Sequence, residues 1–136
     1  MTLPVRRHPA LEPSARLLHA YRRTRYRAGG HQIRIGRRAP DALFAQLGTR
    51  TATLLTAWNP YSRRMPDDWN HRMQRRLRLR LRRFAVLDAE GSLHGWSEAM
   101  LLVGGPPPRA IRLARQFRQS AVVSLRRGAV ARLILL

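Results

Sequence analysis

The chain has 136 residues, 44% of them hydrophobic, and carries 27 basic residues against seven acidic ones for a formal net charge of +20. That length fits one domain with one core, and apolar residues spread along the whole chain argue against global disorder. Arginines interrupt every apolar run well short of the roughly 18 residues a membrane span needs, and the absence of cysteine excludes disulfides, thiol nucleophiles and thiolate metal sites.

The first ten residues read as a tail: Arg6 and Arg7 have no apolar stretch behind them, so an export signal is not expected and a cytoplasmic setting is. Glu12-Pro13-Ser14 is a helix start, and Leu17, Leu18, Tyr21 and Arg25 at helical spacing predict a helix over 13–27, ended by Gly29-Gly30. His31 to Ile35 alternates as a short strand, and Pro40-Asp41 opens a brief helix that closes at Gly48. Thr51 to Trp58 reads as a buried strand stopped by Asn59-Pro60.

Trp69, Met73, Leu77 and Leu81 form an i, i+4 stripe behind Pro66-Asp67-Asp68, which predicts a helix to about Arg83. Leu77 to Arg82 also alternates with period two, so a strand competes there. Phe84 to Ala89 and Leu93 to Val103 predict a hairpin turning at Glu90-Gly91-Ser92. A helix follows over 108–119, then a second hairpin, Ala121 to Leu125 and Ala129 to Leu136, turning at Arg126-Arg127-Gly128. This order predicts a single α+β domain over 11–136, with helices packed on a mainly antiparallel or mixed sheet of about six strands.

Several fragments stand out together: Tyr21-x4-Tyr26, Thr56-Ala57-Trp58-Asn59-Pro60-x-Ser62, Asn70, Gly95-Trp96-x-Glu98 before Leu101-Leu102-Val103-Gly104, and Phe117-x-Gln119-x-Ala121. In order and spacing, over most of residues 18–135, they resemble the uncharacterised bacterial family known as domain of unknown function 3293. The family usually has a serine shortly after the glutamate, where this chain has Ala99-Met100, and an asparagine after the glutamine, where it has Ser120. The resemblance implies a fold and a candidate site, and it brings no activity with it.

Asn59 and Ser62 lie where a buried strand ends, a place that often projects polar groups toward a ligand; a plain turn accounts for the same residues. Glu98 is the lone acid in an apolar strand beside Trp96. It either pairs with one of the many arginines, the expected state, or holds a raised pKa suited to acid–base work as the candidate catalytic residue. Gln119 ends the last helix and can face the same sheet end, giving a ligand-binding candidate set of Asn59, Ser62, Asn70, Trp96, Glu98 and Gln119.

No histidine sits in a triad pattern with Ser62 or Ser97, and the five histidines show no metal spacing, so neither a metal nor a cofactor is expected. Pro106, Pro107 and Pro108 deprive Gly104-Gly105 of the N–H donors a phosphate loop needs.

Two segments, Arg22 to Arg38 and Arg72 to Arg83, carry seven arginines each. Forked guanidinium groups suit phosphates, and Tyr21 and Tyr26 can stack on bases. Nucleic-acid-binding candidates are therefore Arg22, Arg23, Arg25, Arg72, Arg75, Arg76, Arg80 and Arg83 with those two tyrosines. A solvated face explains most charge runs, and no RNA-binding or helix-turn-helix signature is present. Three functions remain in view: a nucleic-acid-associated accessory protein, a small-molecule binder or enzyme centred on Asn59, Glu98 and Gln119, and a module for an acidic protein partner.

Overall fold

The computed structural model describes residues 14–136, so the expected N-terminal tail and the helix-opening Glu12-Pro13 lie outside the described residues. Ser14 caps the first helix, its Oγ accepting from the Leu17 amide at 3.2 Å. That helix, α1, covers Ala15–Arg23 and not 13–27. Thr24 ends it by turning extended and donating its hydroxyl back to the Ala20 carbonyl at 2.7 Å. Arg25–Ala28 then alternates exposed and buried as strand β1. Gly29 and Gly30, at φ +55° and +82°, form its two-residue turn into β2, His31–Ile33. Helical spacing misleads at Arg25 because Tyr26 and Ala28 also fit period two, and β1 finds strand partners on both edges.

Helix α2, Asp41–Leu47, closes on Gly48 in the left-handed conformation and leads into β3, Thr51–Leu55. Helix α3, Asp67–Arg80, runs straight through the ambiguous stretch. Burial explains the outcome: Leu77 and Leu81 are 0% and 1% exposed while Leu79 is 61% exposed, the pattern of one helical face. Strands β4, Val86–Leu93, and β5, Trp96–Gly104, form the long hairpin, which turns at His94-Gly95 (φ +49° and +77°). The expected turn at Glu90-Gly91-Ser92 is displaced because Gly91 is a strand residue, paired with Glu98 on one side and Tyr26 on the other. Helix α4, Pro107–Gln116, and strands β6, Ala121–Arg126, and β7, Arg132–Leu135, complete the chain.

The seven strands of the described residues join one antiparallel sheet in the order β2-β1-β4-β5-β3-β6-β7, in keeping with the expected sheet of about six. The sheet curls until its edges meet. Ile35 bridges Ala131, Arg38 bridges Val130, and the amides of Gly36 and Ala131 donate across the seam at 2.8 Å each. Curling gives the sheet an inner and an outer face. Alternation assigns Leu54, Leu102 and Val123 to the inner face, with Leu43, Phe44 and Leu47 of α2. It assigns Leu55, Leu101, Val103 and Val122 to the outer face, covered by Leu77 and Leu81 from α3 and its C-cap and by Ala110, Leu113 and Ala114 of α4.

The described residues form a single α+β domain of four α-helices on one curled sheet. Among the described residues no helix is long and apolar enough to cross a membrane.

Candidate functional site

The inner face is filled at the α2 end and hollow at the α1 end. There a cavity of about 380 Å³ opens between α1 and the sheet. Its walls are largely apolar, from Leu17 and Ala20 on α1 through Tyr26, Leu54, Met100 and Val123. Gly91 keeps it open. A Cβ at that position would stand 3.1 Å from Met100 Sδ and 3.3 Å from the Tyr26 ring, so the absence of a side chain leaves those two groups their space.

Polar groups gather at one end. Glu98 projects inward because it shares the strand parity of Met100 and Leu102. The Tyr21 hydroxyl lies 3.3 Å from Ser62 Oγ. Gln119, His94 and Trp96 also line the cavity, and Trp96 is 47% exposed at its mouth. The sequence-derived candidates Asn59, Ser62, Trp96, Glu98 and Gln119 therefore meet at one cavity.

Asn70 does not line that cavity, and its job is visible. It is 1% exposed on α3, one turn from Gln74, and the two side chains act as a polar clip on the loop leaving β3. Asn70 Oδ1 accepts from the Asn59 amide at 2.9 Å, and its Nδ2 donates to Asn59 Oδ1 at 2.8 Å. Gln74 Oε1 accepts from the Ala57 amide at 2.9 Å. Asn59 Oδ1 also accepts from the Met65 amide, so the Asn59 carbonyl oxygen is spent on shaping the loop.

Gln119 Nε2 ties a second loop to the first by donating to the Trp58 carbonyl at 3.0 Å, and the Tyr61 amide donates to the Arg118 carbonyl at 2.7 Å. These contacts hold Asn59, Tyr61, Ser62 and Arg118 at positive φ, between +45° and +60°. Non-glycine residues accept that conformation only where the surroundings impose it, and such strain concentrates at functional sites.

Electrostatics single out Glu98. Burial pushes its pKa up to about 7, and among the described residues no arginine pairs with it. The expected ion pair is absent because the arginines project outward while Glu98 faces the hollow. Burial also raises the Tyr21 phenol, an effect opposed by hydrogen bonds with Ser62 and Ser120 and reinforced by the charge of Glu98. Tyr26, whose hydroxyl donates to the Tyr21 carbonyl at 3.4 Å, is raised further by its own burial.

A carboxyl group poised near neutrality can both take and give a proton, and the tyrosine and serine hydroxyls beside it can orient a ligand. Among the described residues no cluster of three or more histidine, aspartate or glutamate side chains could hold a metal ion.

Of the nucleic-acid candidates, Tyr26 is buried and Tyr21 faces the cavity. Arg22 and Arg23 are exposed at the end of α1, on the inner-face side, and Arg25, of opposite strand parity to the inward-facing Tyr26, is exposed on the outer side of β1. Arg72, Arg75, Arg76, Arg80 and Arg83 are exposed on and just beyond α3, which covers the outer face. Sequence reasoning missed Gln74, His94 and Ser120. Gln74 was hidden inside a polar helix, and nothing local announces that His94 and Ser120 approach α1.

Fold and site together define a small cavity protein: a curled antiparallel sheet whose inner face is left unfilled beneath one helix. The family model described as "Protein of unknown function (DUF3293)" matches residues 55–122, half of the chain, and the chain belongs to that family. The matched segment carries Trp58, Asn59, Ser62, Asn70, Gln74, Glu98 and Gln119, whereas Tyr21 and α1 lie outside it. Neither the curated proteins nor the solved structures include a significant match.

Proposed function

We propose that this protein binds a small molecule in the α1 cavity, presenting Glu98 to a hydrogen-bond-donating nitrogen group of the ligand, with Glu98 available as a general acid or base. The observation that carries this reading is the isolation of Glu98. In a chain with 27 arginines and a net charge of +20, one carboxyl group sits in a cavity with no cationic partner among the described residues. Burying a carboxylate without a partner is costly, and a ligand is the partner such a site lacks. The volume is of the size that small-molecule sites use, with apolar walls and a few convergent polar groups. A bacterial, cytoplasmic setting is part of the same proposal.

A thermal-shift panel of nucleosides, primary amines and simple carboxylic acids tests it. Nucleosides or amines raise the melting temperature of the wild type, not of Glu98→Gln, and the acids do nothing. Shifts of equal size in both proteins, or no shift from any class, would sink the reading.

A second reading, attraction to nucleic acid or another polyanion, is favoured by the surplus of unpaired charge. Among the described residues, ion pairs engage only Arg72, Arg78 and Arg127. Because arginines stand on both sides of the sheet, the contact would be diffuse and independent of sequence. Its signature is a binding constant that falls by about 0.9 logarithmic units per phosphate for each tenfold rise in salt. Binding to RNA and DNA that is absent at low salt removes it.

A further inference from the structure

Beside the α1 cavity lies a second concavity of about 340 Å³, lined by Arg23, Arg25, Arg34, Ser92, Leu93, His94 and Gly95. Leu93 and His94 line both, so the two are neighbours across the tip of the β4–β5 hairpin. We infer that this arginine pocket is a phosphate subsite, and that the ligand of the α1 cavity is a nucleotide-like monophosphate: a planar, nitrogen-bearing head against Glu98 and a phosphate on Arg23, Arg25 and Arg34. The inference deepens the proposed function and rests on it for the head group, though not for the phosphate.

Three observations carry it. First, the pocket is concave and wholly cationic in its charged lining: three arginines line it, no carboxylate does, and none of the three is in an ion pair among the described residues. Three arginines around one small volume, with no acid in its lining, are where a dianion gains most from forked donors.

Second, the pocket is built from fixed parts. Arg34 Nη2 donates to the Arg23 carbonyl at 3.4 Å, and Ser92 Oγ donates to the Arg25 carbonyl at 3.5 Å. Arg25 is paired with Ser92 across the sheet, and His94-Gly95 is the tight turn of a long hairpin, with both residues at positive φ.

Third, the spacing suits one ligand. Glu98 is level with Gly91, Leu93 of the shared wall lies two residues further along β4, roughly 7 Å away, and Arg25 and Ser92, of opposite strand parity to Glu98, stand round the hairpin tip from it. Trp96 and Tyr21 flank the path as aromatic surfaces. A carboxyl group for ring or exocyclic N–H groups, aromatic walls for a planar ring, and arginines for a phosphate are the three elements that a nucleoside monophosphate requires. A polymer fits less well, because the cavity end of the path is roofed by α1.

The test uses the full chain with arginine side chains labelled for NMR. Inorganic phosphate is expected to shift the Nε–Hε signals of Arg23, Arg25 and Arg34 saturably, and the Arg25→Gln/Arg34→Gln double variant is expected to lose that saturation. Equal, unsaturating shifts over Arg72 to Arg83 would show ordinary surface attraction and overturn the subsite.

Tryptophan fluorescence then compares guanosine with guanosine 5′-monophosphate. The monophosphate is expected to bind about ten- to a hundredfold more tightly, an advantage lost in the double variant. Equal affinities overturn the link between the pockets. Glu98→Gln is expected to weaken both ligands while leaving the phosphate-induced arginine shifts intact. If the shifts persist but neither guanosine nor its monophosphate binds, the head-group assignment fails and the phosphate subsite stands. A short single-stranded RNA that outcompetes the monophosphate and is insensitive to the double variant would assign the charge to a polymer instead.

Discussion

The two ends of the inner sheet face have the same backbone scaffold and opposite contents. At the α2 end, Leu43, Phe44 and Leu47 are each at most 5% exposed and lock against Ala52, Leu54, Leu102 and Leu125. At the other end α1 buries none of its residues fully and stands over a hollow that holds Glu98, Tyr21 and Ser62. One end spends its apolar surface on cohesion. The other withholds it, and the strands that pass through both are held in place by the packed end and by the helices on the outer face. A cavity of this kind survives because its stability is generated elsewhere in the same sheet.

The sharpest way to break the contrast is to shorten a side chain at each end. Phe44→Ala is expected to cost about 3–5 kcal/mol in urea unfolding, since the ring is 2% exposed in close-packed surroundings. Leu17→Ala, on the half-buried cavity wall, is expected to cost about 1 kcal/mol or less. Comparable losses would mean that α1 is as structural as α2.

The loop clip comes next. Asn70→Ala strips partners from the Asn59 amide and side chain, and is expected to cost on the order of 2–3 kcal/mol as buried polar groups go unpaired. Asn70→Asp, which keeps the acceptor but sets a buried carboxyl oxygen against Asn59 Oδ1 and the Met65 carbonyl, is expected to cost at least as much.

A pH series isolates the hollow end. The folded pKa of Glu98 is raised by burial to about 7, so the native state holds a proton that the unfolded chain releases nearer 4.5. The stability contributed by the protonated group is therefore fully present below about 4.5 and is lost as pH rises through about 7. The loss is on the order of 3 kcal/mol, and Glu98→Gln should abolish that dependence. A wild-type profile that is flat between these limits would place Glu98 in water. The smallest effect belongs to the periphery: Asp88→Asn, which breaks the exposed Arg78–Asp88 pair, should change stability by less than about 0.5 kcal/mol.

Much of this was legible in advance, and the exceptions share a cause. Helix α3 could be read from its acidic first turn and its apolar stripe, and α2 from Pro40-Asp41 and Gly48. By contrast, local pattern extends the first helix over what is strand β1, and it puts the β4–β5 turn at Gly91 when it lies at His94-Gly95. In each case a residue compatible with two local states was decided by a distant partner: β2 and β4 beside β1, Tyr26 and Met100 above Gly91. At the site, the strand parity of Glu98 is visible in sequence, but that no arginine among the described residues pairs with it is not.

By itself, then, the sequence determined the composition of the parts: an α+β domain with a mainly antiparallel or mixed sheet, a surplus of positive charge and a carboxyl group embedded in an apolar strand. These depend on local periodicity, turn chemistry and charge, which act within a few residues. The curl of the sheet decided the rest. Closure of β2 against the β7 side creates an inside, and the short α1 leaves part of that inside empty. Asn70 and Gln74 bind a loop from another element, and the arginines of α1, β1 and the segment after β2 meet at one hairpin tip. Such groupings arise from contacts between residues far apart in the chain, whose energies no local pattern encodes.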